Sequence, residues 1–335
     1  MRRPTLIALG WLWVVVVLAV VPLGRFAVYY FHTPAGRDGE SITVDIPAGA
    51  SLYKVALLLK EKGVVDSPRL FTLSARLTGQ DRKIRSGEYG LSPRLSPSGV
   101  IKALTESPPL LHPVTIAEGQ TFEEIAQILN EAGLAKEEDF IAKATDPGLT
   151  ASLGIPAPNV EGYLFPDTYR LPRGLEPEDI IRLMVSRFRE VYAAIKSKAP
   201  HGAGLDTYET VTLASLVEAE TSAAHERALV SAVFLNRLER RMPLQCDPTV
   251  IYGLEELKGP LKKVHLRVDH PYNTYIHDGL PPGPINNPGK AALKAALNPD
   301  DVDFLYFVSR GDGTHQFSKN YRQHRKAVSR FRRSR

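Results

Sequence analysis

The segment TVTLASLVEAETS places one carboxylate, Glu218, in a run of small and apolar residues (Leu213, Ala214, Leu216, Val217, Ala219) that reads as helical. Apolar surroundings disfavour an ionised carboxyl, so this position could hold a proton near neutral pH and serve as a general acid. Glu220 follows two residues on, roughly 200° around a helix, and so faces elsewhere. Spacing alone fits equally well a helix glutamate paired with an arginine such as Arg227. Other blocks are rich in Asn, Tyr, Pro and Gly: NVEGYLFPDTY (159–169), VFLNRLERRMPLQCDPTVIYG (233–253), HPYNTYIHDGLPPGPINNPGKAALKAALNP (270–299) and FLYFVSRGDGTHQFSKNYRQH (304–324). Pro and Gly fix loop geometry there, while amide, hydroxyl and ring groups suit an uncharged ligand rich in hydroxyls and amides. Among the acids, Glu220, Asp247 and Glu161 are the ones a fold could bring beside Glu218.

These residues need elements to position them. Helices are expected over 176–199, where Ile180, Ile181, Met184, Phe188 and Val191 recur near period 3.6, and over 207–221 and 223–240. DFLYFVSR reads as a buried strand and GDGTH as the turn after it. Upstream lies an internal repeat: VDIPAGASLYKVALLLKEKG (44–63) and VTIAEGQTFEEIAQILNEAG (114–133) share seven of twenty positions. Each copy predicts a short strand, a Gly turn, a Ser51 or Thr121 N-cap, and an amphipathic helix ending at Gly63 or Gly133. Thr121 with Glu124 fits a capping box. Between the copies, turns are expected around Gly87 and Gly90, and a short helix from Ser98.

The chain has 335 residues, room for about two domains. A single cysteine, Cys246, excludes an intrachain disulfide. The formal charge of +5 comes from seven basic residues between Arg322 and Arg335; setting them aside leaves 35 basic against 37 acidic residues, so nucleic acid is not an expected partner. No metal-ligand spacing and no nucleotide-binding glycine motif occurs, so no cofactor is expected. From Pro4 to Gly24 runs an uncharged stretch of 21 residues behind Arg2 and Arg3. It predicts a single-pass anchor with the N-terminus in the cytoplasm and the rest of the chain across the inner (cytoplasmic) membrane.

In order along the chain, EGYLFPDTY, SLVEAET, NRLERRMPLQCDPTVIYG, YNTYIHDGLPPGPINNPG and LYFVSRGDGTHQFS resemble the motifs of the endolytic murein transglycosylases of the MltG (YceG-like) family. The expected organisation is α+β: a cytoplasmic start and transmembrane anchor in 1–31, a repeat region in 40–150 that resembles a LysM module and binds glycan or acts as a spacer, the catalytic domain that the resemblance implies in 159–328, and a basic tail in 329–335 that is not a family feature. The resemblance implies a lyase that cuts between N-acetylmuramic acid and N-acetylglucosamine in peptidoglycan strands, leaving 1,6-anhydro ends, with Glu218 as acid and base. One strongly placed glutamate is enough, because the sugar's own C6 hydroxyl is the nucleophile. Candidate substrate-binding residues are Glu220, Gln245, Asp247, Tyr272, Asn273, Thr274, Tyr275, Asn286 and His315. Cys246 stands where the family usually has a small hydroxyl residue, and a neutral effect is expected. Expected partners are glycan strands, the cytoplasmic membrane and peptidoglycan synthases of the elongation or division machinery. Two other readings are a glycan hydrolase pairing Glu218 with Asp247 or Glu161, and a noncatalytic wall-binding scaffold.

Overall fold

In the computed structural model, residues 20–332 are described, apart from 23, 26, 27, 37, 38, 48, 200–203, 255, 256 and 258. The apolar stretch 4–24 lies almost wholly outside the described residues. Among the described residues no helix is long and apolar enough to cross a membrane. The chain divides into two units, one of residues 1–112 with 171–175, the other of 113–170 with 176–335.

In the first unit, strand β1 (Ile42–Ile46) leads through a Gly49 turn to helix α1 (Leu52–Glu61), whose first turn is capped by the Ser51 hydroxyl. Helix α2 (Pro68–Leu77) follows. Gly87 and Gly90, expected in turns, instead lie in strand β2 (Gly87–Leu91), antiparallel to β1 with Val44 opposite Tyr89. Local glycine content argued for a turn; the ladder supplied by β1 overrides it. Helix α3 (Pro97–Glu106) completes the unit, and Val44, Ile46, Leu59, Phe71, Leu91 and Leu104 share one core.

Strand β3 (Leu111–Thr115) pairs with β4 (Thr168–Pro172). The second repeat copy then continues as expected: a turn at Gly119 and helix α4 (Phe122–Glu131). Its capping box is formed, with Glu124 N–H donating to the Thr121 hydroxyl and Thr121 N–H to the Glu124 carboxylate. The two copies therefore share a strand–turn–helix build but belong to different units.

Short helices α5 (Glu137–Ala144) and α6 (Pro147–Ser152) precede α7 (Pro177–Lys196), which buries Ile180, Ile181, Met184, Phe188 and Val191, as its period requires. Helix α8 (Thr207–Glu220) starts at an Asp206/Glu209 capping box and is buried continuously from Thr210 to Val217. A helix apolar on all sides belongs at a centre. Here α9 (Arg227–Glu239), α10 (Asp247–Gly253) and α11 (Lys290–Leu297) surround it. The helix expected from 223 begins only at Arg227.

Strands β5 (Tyr306–Ser309) and β6 (His315–Ser318) form a hairpin closed by the GDGT turn. β5 is half-buried, not enclosed, because a two-stranded ribbon has one covered face: Phe307 meets Phe234 of α9 edge-on at 6.0 Å. Helix α12 (Tyr321–Arg332) packs beside it, His324 stacking on Tyr306 at 5.1 Å and Ala327 buried. The basic run thus lies on a helix, and residues 329–332 continue α12.

Candidate active site

Glu218 sits two residues before the end of α8, and its side chain is only 7% exposed. Oε1 accepts from Arg227 Nη2 at 3.2 Å, and Oε2 accepts from the Gly289 N–H at 2.9 Å. The apolar pocket expected around this carboxyl is therefore absent from its tip. Two donors hold it, because the apolar side chains of α8 turn toward the helix bundle while the last turn of the helix emerges from it. The arginine pairing that spacing equally allowed is present.

The loop before α11 is fastened along α8. Ile285 N–H donates to the Ser215 hydroxyl, Asn286 Nδ2 to the Ser215 carbonyl, and Gly289 N–H to Glu218 one helical turn later. Gly162 lets this loop close in: a Cβ there would overlap Pro284 and Val211. Asn287 bonds Gln120 O and Glu161 with its amide nitrogen and accepts from Leu164 N–H. Backbone bonds from Gly119 N–H to Asn287 O and from Asn287 N–H to Gln120 O draw the second repeat's turn onto the same loop.

That turn carries Glu118, which sequence reasoning missed. Its Oε2 lies 3.9 Å from Arg227 Nη2. Burial and the Glu218 charge push its carboxyl above the ordinary range, with Arg227 offsetting part of the rise. The only available signal was divergence of the repeat, since Ala48 occupies the matching position of the first copy.

Glu161, 1% exposed, accepts from Phe122 N–H, Asn287 Nδ2 and Tyr252 OH. Burial pushes it up to about 8 against those donors. Held in this way it braces the N-terminus of α4 and the 287 loop.

Glu220 belongs to a different group, as its angular offset required. It is hydrogen-bonded to the Cys246 thiol, and burial raises its carboxyl. Asp247, exposed at the start of α10, accepts from Tyr275 OH at 2.5 Å. Gln245 is exposed, with φ +53° and its N–H on Thr274 O. Thr274 and Asn273 are buried and committed to the protein: the Thr274 hydroxyl to Cys246 N–H and Thr249, Asn273 to Leu266 O, Val268 O and Tyr275 N–H. His315 is tied to Glu226 through both Nδ1 and its backbone N–H. Asn286 is buried with Oδ1 unpartnered. Tyr272 packs between Tyr252, at 4.9 Å, and His270, at 5.9 Å. Gln245 and Asp247 are thus exposed and Tyr272, Tyr275 and His315 half-buried, while Asn273 and Thr274 are buried with their side chains bonded to loop backbone.

Cys246 is fully buried. A serine there can still donate to Glu220, so Cys246→Ser is expected to keep turnover within about threefold, under about 0.7 kcal/mol of barrier. Steady-state rates on soluble glycan strands check this; a loss of tenfold or more would mean that the thiol does something a hydroxyl cannot.

Fold and site together define a mixed α+β protein whose central helix carries, in its last turn, a glutamate clamped by an arginine and a loop N–H. Residues 44–330 match the YceG-like family, and the chain belongs to that family. It is 31% identical over 315 residues to the endolytic murein transglycosylase of Bacillus subtilis (strain 168), covering 89% of this chain and 87% of that one. With the endolytic murein transglycosylase of Streptococcus pneumoniae (serotype 2, strain D39) it shares 31% identity over 355 residues, spanning 94% of this chain but 63% of the relative. A crystal structure of a yceG-like protein from Listeria monocytogenes superposes with a TM-score of 0.58 at 32% identity, covering 87% of this chain and 100% of that one.

Proposed function

We propose that this protein is an endolytic lytic transglycosylase of peptidoglycan, a lyase, with Glu218 as its acid and base. The observation that carries the reading is the placement of Glu218: a nearly buried carboxylate at the end of the central helix, fixed by Arg227 and Gly289, in a chain similar over most of its length to endolytic murein transglycosylases. In its protonated form Glu218 gives its proton to the oxygen linking N-acetylmuramic acid to N-acetylglucosamine. The bond from C1 to that oxygen breaks, and positive charge spreads over C1 and the ring oxygen. The Glu218 carboxylate then takes the proton of the C6 hydroxyl as O6 attacks C1. A 1,6-anhydro ring forms, the glutamate regains its proton, and no water is consumed. No second carboxylate has to position a water, as a hydrolase would require. Gln245, Asp247, Tyr272 and Tyr275 are the residues best exposed to hold the strand.

Mass spectrometry of glycan strands digested with the purified protein tests the reading. Internal cuts with 1,6-anhydro ends support it; reducing ends would make the protein a hydrolase, and unchanged strand length would make it a scaffold. Residues 4–24 anchor the chain in the cytoplasmic membrane, the repeat region contributes LysM-like glycan contacts, and nascent strands near peptidoglycan synthases are the substrate. A reporter fused after Arg335 is then active only outside the cytoplasm, and a cytoplasmic signal would overturn the anchor orientation.

A further inference from the structure

We propose that Glu118 is a positioning residue of this site: it receives the Arg227 guanidinium when Glu218 takes up the proton it delivers to the glycan. The proposal rests on Glu218 being the acid.

A general acid must be protonated, yet Glu218 is gripped by a guanidinium and a backbone N–H, donors that suit its anion. For Glu218 to hold a proton, Arg227 needs another counter-charge, since its side chain is only 11% exposed and a buried unpaired cation is costly. Glu118 is the second carboxylate beside the same Nη2, at 3.9 Å, and its side chain is 48% exposed. The guanidinium is incompletely used as well: Arg227 Nε is buried without a hydrogen-bond partner. Gly289 keeps the path open, because a Cβ at 289 would overlap the Glu118 carboxyl.

Two arrangements of the same charge are then available. In one, Glu218 is ionised on Arg227 and Glu118 carries the proton. In the other, Glu118 is ionised on Arg227 and Glu218 carries it. One proton passes between the carboxyls and net charge is unchanged, so substrate can draw the second arrangement without a change in the buried charge. The raised affinity of Glu118 for a proton, set by burial and by Glu218, agrees with such sharing.

Among the described residues, the charged groups on the neighbouring elements have partners of their own or are exposed. Glu220 on α8 faces Cys246; Asp247 on α10 is held by Tyr275; Lys290 and Lys294 on α11 are exposed; Glu226 and His225, between α8 and α9, pair with His315 and with each other; Glu124 caps α4.

The test is the pH dependence of turnover by the full chain on purified glycan strands, for wild type and Glu118→Gln. Glutamine leaves the Arg227 charge wholly on Glu218, which favours its ionised form. The alkaline limb should therefore move down by about one pH unit, with about a tenfold loss at neutral pH. Glu118→Asp should restore most of the limb. Gly289→Ala, which displaces Glu118 without removing its charge, should shift the limb in the same direction, with a melting temperature checking that each variant folds. An alkaline limb that stays in place in Glu118→Gln would overturn the proposal, as would an equal loss at every pH. Wild-type products with reducing ends would sink the lyase reading instead, and the limb would still decide the role of Glu118, because a hydrolase also needs Glu218 protonated.

Discussion

Glu218→Gln is expected to lose at least the 10²–10⁴ in rate that a general acid–base group contributes, and here one residue serves both proton transfers. The structure adds a condition to this test. Both Glu218 oxygens accept, one from Arg227 and one from Gly289. A glutamine has a single acceptor, so its amide must turn two hydrogens toward one of these donors. A stability loss of about 1 kcal/mol should accompany the loss of turnover, and a melting curve separates the two effects. Glycan binding should survive, since Gln245, Asp247, Tyr272 and Tyr275 are untouched. Glu220→Gln should be milder, because Glu220 faces Cys246 and not the clamp around Glu218. If Glu218→Gln kept more than about a tenth of the wild-type rate, below the smallest general-acid contribution, the assignment of Glu218 would fall.

The second large effect falls on stability. Glu161→Ala removes the acceptor shared by Phe122 N–H, Asn287 Nδ2 and Tyr252 OH, and leaves a cavity. Unpaired buried donors cost about 1–3 kcal/mol each, so a total near 3 kcal/mol is expected after partial relaxation, read as a lower urea midpoint. Glu161→Gln should cost less and should respond differently to pH. The folded protein holds the Glu161 proton up to about 8, whereas an ordinary glutamate gives it up near 4.5. Between those values the unfolded chain binds fewer protons, so the Glu161 contribution to stability declines as pH rises. The gap in unfolding free energy between wild type and Glu161→Gln should accordingly move in favour of glutamine from acid to mildly alkaline pH. A gap that stays flat would mean that Glu161 is ionised throughout in the folded protein.

Local signals were sufficient for some parts of this molecule. Period and capping residues placed α7 and α8 to within a few residues, and the Thr121/Glu124 box formed as written. What failed was set by partners distant in sequence. Gly87 and Gly90 become a strand only because β1 lies alongside, more than forty residues earlier. The half-buried state of β5 reflects a hairpin with one covered face, which its apolar run alone could not reveal. Asn273 and Thr274, substrate-binding candidates by type, also bond loop backbone, contacts that residue type alone could not reveal. The clamp itself comes from three separate segments, at 118, 218–227 and 289, and no spacing rule joins them. Motif resemblance pointed to Glu218; only the fold pointed to Glu118.

The turn at 118–120 bears on how far this protein can be taken apart. Both repeat copies retain the structural punctuation, Gly49 and Gly119, Ser51 and Thr121, Gly63 and Gly133, but only the second carries Glu118 and Gln120 where the first has Ala48 and Ala50. The two copies thus differ in what their turns carry: the first has alanines at these positions, and the second sets Glu118 beside Arg227 and bonds the loop at Asn287. Modularity ends at that point. Trimming the chain at 150 to isolate a catalytic half, or grafting a foreign repeat onto it, would remove Glu118 and the backbone bonds from 119–120 to Asn287. The remainder would keep its glutamate but lose the loop anchorage and the second carboxylate around it, so a workable boundary for engineering lies before the second copy.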